Sequence, residues 1–174
     1  MSDFARITKF FSGDGTDENG RTLFDVLSMD DTALDKTHDV IQWMFPTSTP
    51  SRYNLQAPLV TPEVREVFRK YHHLRIALMA CYWRFHDFLQ LGTPHPWWVY
   101  ARNHNVLRIT RVLLSLNELG LPEVAAEFYT ELRQVATRAT RTTLWDDSRV
   151  WGYWDAAAQG KQFDPQGGRA WNSR

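Results

Sequence analysis

Two His–Asp pairs, His38-Asp39 and His86-Asp87, are the first residues whose types could do chemistry. Metal sites are often built from histidines whose second ring nitrogen is held by a carboxylate, and metal ions can then act on phosphate oxygens. Adjacent residues on a helix point about 100° apart, and the sequence identifies no further ligands. These four residues are therefore weak candidates for a metal site, the alternative is capping or core histidines, and we expect no cofactor.

A basic stripe follows further along the chain, where His104, Arg108 and Arg111 are spaced to share one helix face. The planar donor fork of arginine suits a phosphate or a carboxylate. The alternative is a solvated face paired with acids such as Glu118. If the protein is an enzyme, metal-dependent or anion-binding, working through His38, His86, His104 and Arg108, we expect some of these four side chains to converge within hydrogen-bond reach in one cavity.

A mixed stripe along one helix offers a second kind of site. Its members recur at steps of three and four residues and are His72, Ile76, Met79, Trp83, His86 and Gln90. One interpretation is a pocket wall in which Trp83 and His86 face a ligand. The favoured interpretation is a second packing face, since apolar residues at this spacing usually lie in a core. Trp97 and Trp98 follow in a loop with two prolines, and we expect a groove near this loop and residues 43–61.

A longer motif spans residues 38 to 69. It begins with HDVIQWMFP at residues 38–46, continues with Ser51 and Asn54, and ends with APLVT at 57–61 and Phe68-Arg69. In order and spacing it is similar to the signature of the conserved domain of the opioid growth factor receptor family. The departures are mild, and the looser resemblance covers roughly residues 4 to 140. The resemblance implies opioid-peptide binding and, in animal members, nuclear association, but kinship in fold does not carry a site.

The same motif also has an architectural interpretation. A helix ending at Pro46 is followed by a long loop, and Thr61-Pro62 begins the next helix with a capping hydroxyl and a proline in the first turn. Gln42 and Asn54 carry amides that can hydrogen-bond the loop backbone. Gln42, Trp43 and Asn54 are thus candidates for ligand binding or for holding the loop.

The remaining pattern predicts an all-α fold, a compact bundle of five to seven helices with a long ordered loop after the second helix. We expect a helical domain over residues 1–159 and a flexible tail over 160–174. The chain to residue 21 is rich in Gly, Asp and Asn and is predicted to be loop. The helices are predicted at 22–29, 31–45, 62–91 (stopped by Gly92), the stretch before Gly120, the stretch from Pro122, and 143–158.

Composition narrows the functional classes. The 20 basic and 20 acidic residues give no net charge, which disfavours a nucleic-acid partner. No apolar run reaches the ~20 residues of a membrane span, no secretory signal is visible at the N-terminus, and the single Cys81 fits a cytoplasmic protein. We therefore expect a tryptophan-rich binding or interaction module for a peptide, small molecule or protein, with an enzyme as the alternative. The oligomeric state stays open.

Overall fold

The computed structural model describes residues 1–94, 96–99, 103–138 and 148–161. Within them the chain is helical without a strand, which confirms the all-α class, but nine helices exceed the predicted five to seven. The helices are α1 (Asp3–Ser12), α2 (Leu23–Leu27), α3 (Asp31–Lys36), α4 (Ile41–Met44), α5 (Pro62–Lys70), α6 (His72–Leu89), α7 (Asn105–Glu118), α8 (Pro122–Arg138) and α9 (Ser148–Ala158). The predicted tail from residue 162, and the start of the predicted last helix, lie outside the described residues.

Helix α1 corrects the prediction of a loop at the start of the chain. The Ser2 hydroxyl accepts a hydrogen bond from the Ala5 amide, and Gly13 ends the helix in the left-handed conformation, with φ 81°. Phe10 and Phe11 face inward and are buried. The prediction of a loop is correct from residue 13 onward, where the glycines and aspartates lie. It was wrongly extended to the residues before them, which form a capped amphipathic helix.

The predicted helix over residues 31–45 is split into α3 and α4. Thr37 has an extended backbone and ends α3. The carbonyls of Leu34, Asp35 and Thr37 accept hydrogen bonds from the guanidinium of Arg108, on α7, at 3.1, 3.0 and 3.3 Å. The last four carbonyls of a helix have no partner within it. An arginine that is distant in sequence therefore stabilises the end of α3, which no local sequence signal predicts.

The predicted helix over residues 62–91 is also split, at Tyr71, between α5 and α6. Arg75 donates to the carbonyls of Phe68 and Arg69 at the end of α5. Helix α6 ends at Leu89 and not at Gly92, because Gln90 itself takes the left-handed conformation, with φ 49°. At the end of α5, a side chain from outside the helix therefore satisfies carbonyls that have no partner within it.

Two tryptophans close the end of α6. The indole N–H of Trp97 donates to the Phe88 carbonyl at 3.1 Å, and that of Trp98 donates to the Leu89 carbonyl at 2.9 Å. Trp98 is fully buried and meets the ring of Trp154, while Trp97 stays 40% exposed. The Trp97-Trp98 loop therefore completes the core and the helix end.

Helix α7 lies at the centre of the C-terminal half and packs against α8 and α9. Gly120, with φ 85°, follows it, and the amides of Leu121 and Gly120 return to the carbonyls of Leu116 and Asn117. This Schellman arrangement confirms the predicted stop. Among the described residues, no helix has the length and apolar character to cross a membrane.

Candidate functional site

The predicted long loop is confirmed as residues 45–61, and two amides of the motif hold it. Asn54 is buried; its amide nitrogen donates to the Asp39 carbonyl at 3.2 Å, and its oxygen accepts from the Gln56 amide at 3.1 Å. Gln42 contacts the Ser51 hydroxyl at 3.1 Å, and its nitrogen can face the carbonyls of His38 and Asp39 at 3.2 and 3.0 Å. These two side chains therefore attach the loop to the turn before α4.

Trp43 is fixed by residues far from it in the sequence. Its indole N–H donates to one carboxylate oxygen of Glu18, and the Asn54 amide donates to the other. Phe10 packs on the Trp43 ring with centroids 5.1 Å apart, and the Arg6 guanidinium lies 5.0 Å from that ring. Trp43 is 2% exposed, so it acts as a core anchor of the loop.

Two cavities border this loop and share Pro50 and Ser51 in their walls. The first, here the α1 cavity, measures about 760 Å³ and lies between the loop and α1, beside Trp43 and Asn54. The second, here the basic cavity, measures about 560 Å³ and lies between the loop and α7. The loop that the motif fixes is thus a wall of both.

The basic cavity is lined by all three residues of the basic stripe. Its titratable lining residues other than tyrosine are His38, Arg52, His104, Arg108, Arg111 and Lys161. No aspartate or glutamate among the described residues lines it. Apolar surface is supplied by Ile41, Leu107, Leu114 and the two tyrosines Tyr53 and Tyr153. The cavity therefore combines positive charge with apolar walls.

Arg108 is a structural cation. It is 5% exposed and donates to three carbonyls at the end of α3 and, at 3.3 Å, to the Asn105 side chain. Burial lowers the pKa of its guanidinium. The helix carbonyls that it binds carry the negative end of the α3 dipole, so its charge is already compensated. The prediction of a solvated face does not hold for this residue.

His38 and His104 meet at the rim of the cavity, edge to face, with ring centroids 5.2 Å apart. His104 Nε2 lies 3.0 Å from Asp35 Oδ1, an ion-pair distance, but the two atoms are not aligned for a hydrogen bond, and both are buried without such a partner. Burial and the nearby Arg108 charge lower the pKa of His104, against the opposing effect of Asp35. Compared with a free histidine, His104 therefore loses its proton more readily.

Arg111 differs from Arg108 in its partners. It donates to the Phe45 carbonyl at 3.2 Å and, more weakly, to the Thr49 carbonyl at 3.5 Å. It forms no ion pair with any carboxylate of the described residues. Glu118 acts on it electrostatically, but that carboxylate is paired with Arg65 at 2.9 Å. Burial consequently lowers the pKa of Arg111 to about 10.

Four candidates lie elsewhere: Trp83, His86, Trp97 and Trp98 line neither cavity. His86 contacts Glu131 of α8 at 2.7 Å and the ring of Trp83 at 5.4 Å. Trp83 is 52% exposed and Ile76 is 57% exposed, so the mixed stripe of α6 faces solvent in part and is not a closed packing face. His38, His104 and Arg108 line one cavity, and His86 lies apart from them.

The structure also separates the metal candidates. Asp39 accepts from Arg21 at 2.8 Å and from Asn19 at 2.5 Å, and Asp87 has a largely exposed side chain. The described part of the chain contains no group of three or more His, Cys, Asp or Glu side chains placed to hold a metal ion. His38-Asp39 and His86-Asp87 therefore do not assemble into one centre.

Two residues, one in the lining of each cavity, were missed by the sequence interpretation. Thr110, which lines the basic cavity, lies between Leu107 and Leu114 on the face that carries Arg111, and helical spacing alone could have found it. Glu18, in a loop, has no local signal, because its role depends on the positions of Trp43 and Asn54 in the folded chain.

Comparison with curated proteins finds the opioid growth factor receptors of three mammals. The rat receptor is 34% identical over 109 residues, which are 53% of this chain and 18% of the receptor. The human receptor is 34% identical over 108 residues, 53% of this chain and 16% of the receptor. The mouse receptor is 33% identical over 108 residues, with 53% and 17% covered. This chain is similar to the opioid growth factor receptors.

The resemblance predicted from the motif is thereby confirmed. The match spans about half of this chain and less than a fifth of each receptor's length. No protein-family model matches the chain, and no solved structure matches it. The similarity therefore relates one region of the receptors to this chain.

Proposed function

We propose that this protein is a non-enzymatic helical binding module, and that the basic cavity takes a small molecule or a single side chain or terminus of a peptide or protein. The proposal rests on the hydrogen bonds of Gln42 and Asn54. Both side chains hold the 45–61 loop, which forms a wall of the cavity. Residues of the motif therefore hold a wall of the cavity, and four of them, His38, Ile41, Gln42 and Ser51, also line it.

The size and lining of the cavity support this proposal. Small-molecule sites are concave, mostly apolar and carry a few converging polar groups. The basic cavity has about 560 Å³, apolar walls from Ile41 and Leu114, and polar groups from Arg111 and Thr110. Similarity to proteins named as receptors also favours binding over catalysis. Because the match covers so little of each receptor, opioid peptide is one ligand to test among others.

The test fills the cavity and compares the result with a matched change outside it. Thr110→Trp places an indole in the basic cavity, whereas Ile76→Trp adds the same ring on α6, at a side chain already 57% exposed. A fragment library with added opioid pentapeptide is screened by amide chemical-shift changes. We expect hits that shift α7 and loop resonances in the native protein and in Ile76→Trp but not in Thr110→Trp.

Two results would overturn the proposal. One is the absence of any ligand that shifts these resonances. The other is ligands that bind Thr110→Trp as well as they bind the native protein, with thermal stability showing that the variant is folded. In the second case the ligand site lies elsewhere, with the α1 cavity, which borders Trp43, as the next place to examine.

A second candidate is an anion-dependent enzyme, which one arrangement favours. His38 and His104 lie in edge-to-face contact, His104 is 3.0 Å from Asp35, and Arg111 lines the same cavity. A histidine that lies close to a carboxylate and to a cation is suited to acid–base work on an anionic substrate. A panel of phosphate and carboxylate esters, assayed with the native protein and with His104→Gln, tests this: hydrolysis abolished by the substitution would support it, and no turnover would oppose it.

A further inference from the structure

The charged side chains that line the basic cavity are all basic, although the whole chain has no net charge. Arg52, Arg108, Arg111 and Lys161 line it, together with two histidines, and no acid of the described residues does so. The 20 acidic residues of the chain equal its 20 basic ones in number. Concentrating one sign of charge in a concave site with apolar walls strengthens the field there, because low-dielectric walls focus it.

The cations in this lining are not equivalent. The N–H groups of Arg108 are used by carbonyls of α3 and by Asn105, so this residue has little capacity left for a ligand. Arg111 has five N–H donors, of which two make bonds to carbonyls, at 3.2 and 3.5 Å. It is buried enough for its pKa to fall to about 10, yet it has no paired carboxylate among the described residues. Arg111 is therefore a cation with donors to spare.

The neighbours of Arg111 define what else the ligand carries. Leu107 and Leu114 lie one turn before and one turn after it on α7, and Ile41 and Tyr153 complete an apolar wall. The Thr110 hydroxyl is committed to the Val106 carbonyl at 3.0 Å, but its oxygen can still accept a hydrogen bond. The cavity is thus polar at one place and apolar around it.

We infer that the ligand of the basic cavity is a small oxyanion, a carboxylate or a phosphate, attached to an apolar or aromatic body, and that Arg111 is its principal anion contact. This inference rests on the proposed function, since it names the chemical class of the ligand for the same cavity. A cationic ligand would meet repulsion from Arg111, which has no paired carboxylate among the described residues. A purely neutral ligand would leave the Arg111 charge desolvated and unpaired, which is costly.

The experiment uses four probes with the full chain. Phenyl phosphate and phenylacetate carry the two oxyanions on an aromatic ring, benzyl alcohol is a neutral control with the same ring, and inorganic phosphate is an anion without the apolar body. Binding is followed by calorimetry and by amide shifts of α7. The variant is Arg111→Gln, and the matched control is Arg69→Gln, an arginine on α5 whose side chain is 65% exposed.

We expect one or both aromatic anions to bind more tightly than benzyl alcohol and inorganic phosphate. Arg111→Gln should weaken the binding of the aromatic anion roughly ten- to hundredfold, as loss of a charged hydrogen bond implies, and Arg69→Gln should leave it unchanged. Binding of phenyl phosphate alone would assign the ligand to the phosphates, and binding of phenylacetate alone would assign it to the carboxylates. Either result supports the inference.

Failure of this inference and failure of the proposed function give different results. If benzyl alcohol binds as well as the anions, or if Arg111→Gln leaves anion binding unchanged while Thr110→Trp abolishes it, the oxyanion inference is wrong and the binding module stands. If no probe binds the cavity but fragments of another class do and Thr110→Trp excludes them, the same conclusion holds. If nothing binds there, both proposals fail.

Discussion

Arg108 and Arg111 are neighbours on one helix, and the structure gives them different roles that stability measurements can separate. Arg108→Met keeps much of the length of the side chain but removes its donors. The Leu34 carbonyl and the Asn105 side-chain oxygen, both in fully buried residues, would then lose a partner. A buried acceptor without a hydrogen bond costs about 1–3 kcal/mol. The carbonyls of Asp35 and Thr37, in partly exposed residues, can regain water.

Removing a desolvated cation returns part of this cost, so we expect Arg108→Met to lower the free energy of unfolding by about 3 kcal/mol. In a chain of this size that corresponds to a fall in melting temperature of roughly 6–12 °C. Arg111→Met is the matched control. It loses two long hydrogen bonds and a cation without a paired carboxylate, so its effect should stay within about 1 kcal/mol.

Urea unfolding followed by tryptophan fluorescence and by circular dichroism measures both variants. Equal dependence on urea concentration in all three proteins is required, because a changed slope would mean a changed unfolded or native ensemble. Hydrogen exchange of the α3 amides provides a local readout, which Arg108→Met should accelerate. The reasoning is refuted if Arg108→Met and Arg111→Met destabilise the protein equally, or if the exchange of α3 is unaffected by the loss of Arg108.

Three further predictions concern His104, the tryptophan pair and Asn54. Because the folded pKa of His104 lies below its ordinary value of 6.5, the unfolded chain binds more protons under mildly acidic conditions, and stability should fall as pH drops below about 6.5. Urea midpoints measured in mildly alkaline and mildly acidic buffer should therefore decline less in His104→Gln than in the native protein. An equal decline in the two proteins would contradict this assignment. Trp98→Phe should lower the free energy of unfolding by about 2–3 kcal/mol, because the hydrogen bond to the Leu89 carbonyl is lost and a cavity is left behind. The matched change Trp97→Phe, at a partly exposed side chain, should lower it by about 1 kcal/mol. Thermal unfolding of both variants tests this, and the opposite order would be inconsistent with capping of α6 by a buried indole. Asn54→Ala should destabilise the chain by about 2 kcal/mol and accelerate amide hydrogen exchange across residues 45–61. Exchange in helix α8 serves as the internal reference. Unchanged exchange in the loop would show that Asn54 does not hold it.

Local sequence determined where several helices begin and where α7 ends. Thr22 with Asp25 forms the capping box, Thr61 with Pro62 begins α5, and Gly120 closes α7. These signals act between residues a few positions apart, so they can be recognised in the sequence without knowledge of the tertiary structure. The motif over residues 38–69 was likewise sufficient to indicate the similarity to the opioid growth factor receptors.

Only the tertiary structure decided the breaks at Thr37 and Tyr71 and the division of labour between the two arginines of α7. Helical spacing placed Arg108 and Arg111 on one face, but spacing cannot show which carbonyls or carboxylates reach each guanidinium. The free carbonyls at the end of α3 are 71 to 74 residues away from Arg108 in the chain. A charge is structural or available to a ligand according to its partners in space, and those partners are set by packing.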